Sequence, residues 1–335
     1  MKTTIQDVAR IAGVGIGTVS RVINNSPDVK PATRKKVLSA IAQLNYRPNP
    51  IARSMISKQT GAIGVIVPFF TRPFHTELLR AVQVGLTRSN KELVLYNVET
   101  ATQRDYYLAK LPMLHRVDGL LLLSLPLEDT YAMDIKETGI PVVLIDTYSP
   151  FFTSLIVDNI EGAYQAVKYL IELGHQRIGF INGVIEGNIK FNQANDRLIG
   201  LHRAFGEAGL VFDPELLLTS EWNRSGGKQA ALQLLSQEKR PTAIFAASDM
   251  QAIGVLEAAK ELHLSVPDDV SVIGFDGIEI AELLEISTIQ QPMQQLGELG
   301  VLKLIEKLNN PQQLPELIRL STTLIARGTT RALAL

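Results

Sequence analysis

Cysteine is absent from all 335 residues. That absence excludes disulfide staples, iron–sulfur clusters, zinc ribbons and any thiol nucleophile, and it fits a reducing compartment. Long apolar runs are missing too: nowhere do about eighteen uninterrupted apolar residues occur, so no helical membrane span is expected. The first residues, Met1-Lys2-Thr3-Thr4-Ile5-Gln6-Asp7, carry no apolar stretch behind the lysine, and the expected location is therefore cytoplasmic. The five histidines are scattered rather than spaced as metal ligands, and Arg224-Ser225-Gly226-Gly227-Lys228 lacks the spacing of a phosphate loop. No cofactor, metal or catalytic residue is expected. What remains is 46% hydrophobic and 20% charged, which suits the two or three soluble globular domains that the length implies.

The net charge of −1 conceals a division along the chain. Residues 1–60 hold ten basic side chains (Lys2, Arg10, Arg21, Lys30, Arg34, Lys35, Lys36, Arg47, Arg53, Lys58) against Asp7 and Asp28, a balance of +8. The other 275 residues hold 23 basic and 32 acidic side chains, a balance of −9. Such asymmetry fits a head that meets a polyanion and a body that avoids it. A merely solvated basic face would give the same count, so the motifs must decide.

Thr4-Ile5-Gln6-Asp7 reads as a capping box that opens a helix. Behind it Ile5, Val8, Ala9 and Ala12 form one apolar stripe, and Gly13 stops the helix. A second helix follows Gly13-Val14-Gly15 with Val19, Val22 and Ile23 inside; a third follows Pro31 with Val37, Ala40, Ile41 and Leu44 inside. Three short helices with a glycine-bearing turn between the first two describe a helix-turn-helix, whose second helix enters the DNA major groove. Ile16, Gly17 and Thr18 then open the recognition helix, with Ser20 and Arg21 further along its exposed side. Arg21 can reach guanine with two hydrogen bonds or hold a phosphate. Next, Asn49 can cap and Pro50 can begin a helix of one or two turns, too short to stand alone in water. Met55 and Ile56 beside Arg53 have the composition of a minor-groove wedge, and equally of a linker packed on the body.

Beyond residue 61, apolar runs at 62–67, 93–96, 120–123, 142–145, 178–181, 243–246 and 270–275 alternate with amphipathic helical stretches. Continuous apolar strands with helical crossovers mean parallel sheets covered on both faces, and the number of units asks for two α/β lobes. Ligands bind beyond the carboxyl ends of such strands. The polar residues there are Ser124, Asp146, Ser248, Asp249 and Asp276, joined by Arg197 and by the sole tryptophan, Trp222, in a polar loop. Two carboxylates, one arginine and an exposed aromatic have the composition of a sugar site; Asp249 reads instead as a helix cap. Asp146 and Asp276 as paired acids would suggest a glycosidase, but no nucleophile constellation accompanies them. A secreted solute-binding protein would carry a signal and lack the basic head.

Thr4-Ile5-Gln6-Asp7-Val8-Ala9, Ala12-Gly13-Val14, Thr18-Val19-Ser20-Arg21-Val22-Ile23-Asn24, and Tyr46-Arg47-Pro48-Asn49 through Ala52-Arg53-Ser54 together resemble the lactose-repressor/galactose-repressor (LacI/GalR) family. The resemblance implies a helix-turn-helix DNA-binding domain at 1–47, a hinge helix and linker at 48–60, and an effector-binding, dimerising body at 61–335. It implies operator contacts by Thr4, Ile16, Gly17, Thr18, Ser20, Arg21, Asn24, Tyr46 and Arg47, and from the hinge by Ile51, Ala52, Arg53 and Met55. Met55 stands where the family inserts a leucine between base pairs. Gly15 replaces the usual capping serine at small cost, and Ile56 replaces a basic residue, removing one phosphate contact.

Body segments continue the likeness: Val157-Asp158-Asn159, Leu173-Gly174-His175-Gln176-Arg177-Ile178, Arg197 with Gly200, Pro241-Thr242-Ala243-Ile244-Phe245-Ala246, Val266 through Asp276, and Thr288-Ile289-Gln290-Gln291-Pro292. They imply a periplasmic-binding-protein-like body with parallel sheets, an N-lobe of about 61–160 and 291–321, and a C-lobe of about 161–290 and 322–335. The chain would cross between lobes near 160, 290 and 322. Phe74, His75, Ser124, Asp146, Arg197, Trp222, Ser248, Asp276 and Gln291 would line the effector cleft. Ser248 departs from a common asparagine, and Phe69-Phe70-Thr71-Arg72-Pro73 is unusually aromatic and basic. The expected partners are a pseudo-palindromic double-stranded operator, a second copy of the chain, and a small polar effector. A sugar is favoured over a nucleobase chiefly by Trp222, and whether the ligand induces or corepresses is left open. No leucine heptads follow Gly328, so a dimer is expected rather than a tetramer.

Overall fold

The computed structural model describes residues 3–23, 26–46, 60–183 and 192–333. Contacts divide the chain between Gly61 and Ala62 into a head and a body.

In the head, helices α1 (Ile5–Ala12), α2 (Ile16–Ile23) and α3 (Pro31–Gln43) enclose one small core. The Thr4 hydroxyl accepts from the Asp7 amide at 3.4 Å while Asp7 accepts from the Thr4 amide at 3.0 Å, so the capping box is complete. Gly13 ends α1 at φ +65°, a left-handed conformation in which a side chain would be strained. Val8, Ala9, Val19, Val22, Val37 and Ala40 are buried, with Ile5, Ala12, Ile23, Ile41, Leu44 and Tyr46 packed around them. These are the stripes that the helical period selects.

The body contains two six-stranded sheets. The first combines β1 (Ala62–Pro68), β2 (Glu92–Val98), β3 (Gly119–Leu123), β4 (Val142–Ile145) and β5 (Thr153–Val157) with β11 (Leu317–Leu320), in the order β11-β5-β4-β3-β1-β2, all parallel. The second combines β6 (Ile178–Gly183), β7 (Leu217–Ser220), β8 (Ala243–Ala246), β9 (Ser271–Asp276) and β10 (Ser287–Gln290) with β12 (Thr323–Ile325), in the order β12-β10-β9-β8-β6-β7. Only β12 runs antiparallel, along β10. Every residue of β1, β3, β4, β8 and β9 is buried, because helices cover both faces. Edge strand β2 is half open to solvent.

Helices α4 (Pro73–Arg88), α5 (Ala101–Lys110), α6 (Asp129–Glu137) and α12 (Met293–Asn309) belong to the first lobe. Helices α7 (Asn159–Glu172), α8 (Asn192–Glu207), α9 (Arg224–Leu235), α10 (Asp249–Glu261) and α11 (Glu279–Leu283) belong to the second. The chain passes between lobes from β5 to α7, from β10 to α12, and from β11 to β12. Glycines allow the closest helix crossings. A Cβ on Gly200 of α8 would lie 2.2 Å from the Ile160 carbonyl of α7. One on Gly227 of α9 would lie 2.4 Å from the Gln251 carbonyl, and one on Gly254 of α10 only 2.3 Å from the Arg224 carbonyl. Among the described residues no helix is long and apolar enough to cross a membrane.

Candidate functional site

Both lobes bring the carboxyl ends of their strands to a shared cleft, the place where open α/β sheets bind small molecules. Phe74, His75, Ser124, Asp146, Arg197, Trp222, Ser248, Asp276 and Gln291 all line it. Ser124 directly follows β3, Asp146 directly follows β4 and Asp276 ends β9, with φ of +48°, +59° and +123°. Three non-glycine residues in this region of backbone space around one cleft mark stored strain that the surrounding sheet must enforce.

On the first lobe, the Ser124 hydroxyl donates to Asp146 Oδ2 at 2.7 Å. From the second lobe, Gln193 Nε2 donates to the Asp146 carbonyl and to Oδ2, both at 2.9 Å. Arg197, 3% exposed, donates through Nε to Asn159 Oδ1 at 3.0 Å and through Nη1 to the Ala247 carbonyl. Its guanidinium lies 3.7 Å from the Phe275 ring centre and 5.4 Å from that of Trp222, and its Nη2 is 3.9 Å from Asp276 Oδ1. Gln291 Nε2 donates to Asp276 Oδ1 at 2.8 Å, whereas the buried Gln291 Oε1 accepts no hydrogen bond. A buried orphan acceptor costs stability unless a partner reaches it.

Burial raises the Asp146 carboxyl to about 6, although the Ser124 hydrogen bond and the Arg197 charge favour its ionised form. Burial also lifts Asp276 well above the carboxylate range; Arg197 opposes that shift and the Asp249 charge adds to it. His75 is buried, with its pKa lowered to about 3 by desolvation and by Arg72, so its imidazole is neutral near pH 7.

Two readings change. Trp222 is half buried rather than exposed, its indole resting on Gly183 where a Cβ would sit 1.8 Å from the ring. Asp249 does not cap α10. Ser248 does, accepting from the Gln251 amide at 3.2 Å, and that releases the Asp249 carboxylate for contacts across the lobe. Ser248 lines the cleft, but its hydroxyl is already engaged with Gln251. Arg72, Pro73, Gln193 and Met250 also line the cleft and were not assigned from sequence. Gln193 had a signal, since it precedes Arg197 by one helical turn and shares its face. Met250 had none.

On the head, Ile16, Gly17 and Arg21 are exposed along α2, with Thr18 and Ser20 half buried beside them. Thr4 is the α1 cap, and Tyr46 rests on the core. Asn24, Arg47, Ile51, Ala52, Arg53 and Met55, with the expected hinge helix, lie outside the described residues. Among the described residues no group of acids and histidines could hold a metal.

Comparison with known proteins places this geometry. Residues 4–49 match the family model described as bacterial regulatory proteins, lacI family, and residues 167–330 match the periplasmic binding protein-like domain. The chain is 38% identical over 331 residues to the ribose operon repressor of Escherichia coli K12, covering 97% of this chain and 99% of that protein. A lac repressor dimer bound to operator and the anti-inducer ONPF superposes with a TM-score of 0.86 at 29% identity, over 99% of this chain and 100% of that one. A LacI family regulator from Enterococcus faecium with bound ribose superposes with a TM-score of 0.73 at 29% identity, over 82% of this chain and all of that one. With two α/β lobes, a helix-turn-helix head and 38% identity to a repressor over nearly the full length of both chains, the chain belongs to the LacI family of bacterial regulatory proteins.

Proposed function

We propose that this chain is a dimeric repressor that reads an operator through α2 and whose grip is set by a neutral monosaccharide in the cleft. The observation that carries the ligand class is the polar lining. A buried arginine, two buried carboxyls and Gln291, whose buried Oε1 has no hydrogen-bond partner, line the cavity together with Phe74, His75 and Trp222. Sugar hydroxyls donate to carboxylates and to Gln291 Oε1 and accept from a guanidinium, while the apolar face of the ring suits an aromatic surface. The E. coli relative named for the ribose operon and the E. faecium regulator with ribose bound support a pentose as the first candidate.

The switch follows from differential affinity: a ligand held by both lobes changes the balance between lobe arrangements, and residues 48–60 transmit that balance to the head. Two heads on a dimer read two half-sites of a pseudo-palindrome. A calorimetric panel of D-ribose, other neutral sugars, ribose 5-phosphate and purine bases tests the ligand class. Binding of a neutral sugar, lost in Arg197→Ala and Asp276→Ala, is expected. Binding of a base or the phosphate in place of every sugar would overturn it.

A further inference from the structure

The first turn of α10 buries two polar side chains that do not line the cleft, Asp249 and Gln251, each fully shielded from solvent. Ser248 caps the helix, so Asp249 is not spent on its own terminus; of Gln251 only Oε1 is, accepting from the Ser248 hydroxyl at 3.1 Å and leaving Nε2 for other partners. The Asp249 carboxylate accepts from the Gly277 amide at 2.7 Å, the Ile278 amide at 3.0 Å and the Thr288 hydroxyl at 2.6 Å. Gly277 and Ile278 immediately follow Asp276, whose φ of +123° needs an outside restraint. Gly274, on the same strand, leaves room for that carboxylate: a Cβ there would lie 2.2 Å from Asp249 Oδ1.

Gln251 works on the opposite wall. Its Nε2 donates to the Ser220 hydroxyl at 2.9 Å and to the Asn182 carbonyl at 3.2 Å, with the Glu221 carbonyl at 3.4 Å. Those three acceptors frame the turn that carries Trp222, and Asn182 adjoins Gly183, on which the indole rests. The close crossing of α9 over α10 at Gly227 and Gly254 fixes the turn from which both side chains reach.

We infer that Asp249 and Gln251 are a pair of positioning residues that hold Asp276 and Trp222 at the separation the ligand requires, without touching the ligand. The inference rests on the cleft being the effector site and adds the means by which its two walls are kept in register. Buried networks of this kind act through their full set of partners, so loss of one bond frees one wall only.

The test combines ligand-free and ligand-bound readouts on the full chain. Gln251→Met keeps the volume and removes the Nε2 donor together with the Oε1 that accepts from Ser248, so Trp222 quenching is the readout that reports on the Nε2 contacts. Thr288→Val keeps the volume and removes one Asp249 partner; Asp249→Ala removes the acceptor, and Asp249→Asn retains an oxygen for both amides. In Gln251→Met, acrylamide quenching of Trp222, the only tryptophan, is expected to increase, while exchange at Gly277 and Ile278 stays unchanged. In Asp249→Ala and, less strongly, Thr288→Val, exchange of those two amides should rise about tenfold or more, with β8 and β9 still protected and Asp249→Asn restoring most of the protection. Affinity for D-ribose, or for whichever sugar the wild type binds, should fall about tenfold in Gln251→Met and Asp249→Ala. Unchanged Trp222 quenching, unchanged exchange at 277–278, or unchanged sugar affinity overturns the inference. If Asp249→Ala does not fold, Thr288→Val and Gln251→Met decide it alone. A wild-type protein that binds no sugar defeats the ligand class, whereas the quenching and exchange results still decide the positioning.

Discussion

Asp146 is a carboxyl whose environment works against its charge. Its pKa in the folded chain, about 6, lies above the ordinary value of 3.8, so the folded state holds the proton more tightly than the unfolded state. The stability it contributes is complete below pH 3.8 and disappears as pH rises through 6, a cost of about 3 kcal/mol at neutral pH before any ligand arrives. Under the proposed function, sugar hydroxyls donating to the carboxylate would offset that cost and so select the ionised form. Affinity should then drop about tenfold between pH 7 and pH 5, and Asp146→Asn should flatten the profile. Calorimetry across that range checks it; a flat wild-type profile would contradict it. Gly183 makes a second residue-scale prediction. An added methyl group collides with the indole, so Gly183→Ala should displace Trp222, shift its emission and weaken ligand binding, at a stability cost of about 1–3 kcal/mol. Arg197, Asp146 and Asp276 were readable from sequence because they follow apolar runs or open a helix, where α/β sheets expose polar groups. Asp249 was misread for a physical reason. An acid before a helical run and a serine one position earlier are equally good caps, and only tertiary packing decides which side chain is left for other work.

At the level of elements, burial explains what could be read. β1, β3, β4, β8 and β9 are covered on both faces and appear as unbroken apolar runs. β7, β11 and β12 are edge or near-edge strands whose Ser, Thr and Arg residues blur any period, and β10 mixes Ser, Thr and Gln with one isoleucine. Helix crossings were not legible at all, because a glycine within a helical stretch looks the same whether it is a weak point or a contact. Gly200 is a contact. Gly200→Ala should separate α7 from α8 and lower stability by about 1–3 kcal/mol, with a fall in Tm. It should also loosen Arg197, which lies on the same helix and bonds Asn159 at the start of α7. A chain with unchanged Tm and ligand affinity would show that the crossing tolerates a methyl group.

Across the whole molecule, the charge division is the feature that composition averages hide. The +8 of residues 1–60 is set to neutralise phosphates, so operator affinity should fall about 10³–10⁵-fold between about 50 and about 200 mM salt if six to ten phosphates are engaged. Arg21→Ala, an exposed change on α2 away from the buried Val19 and Val22, should leave the head folded and cost about 1–3 kcal/mol of operator binding. Equal loss on random DNA would assign Arg21 to a phosphate instead of a base. The body's −9 keeps the receptor from competing for the same DNA. The central claim joins these parts: a neutral sugar between the lobes governs how tightly the basic head holds its operator. Its most direct test is an operator selected from random duplexes with the purified chain, then titrated with and without D-ribose and the other panel sugars at fixed salt. The account predicts a preferred pseudo-palindrome whose affinity one neutral sugar changes by about tenfold or more; an affinity that no sugar alters, or no preference over random duplex, would contradict it.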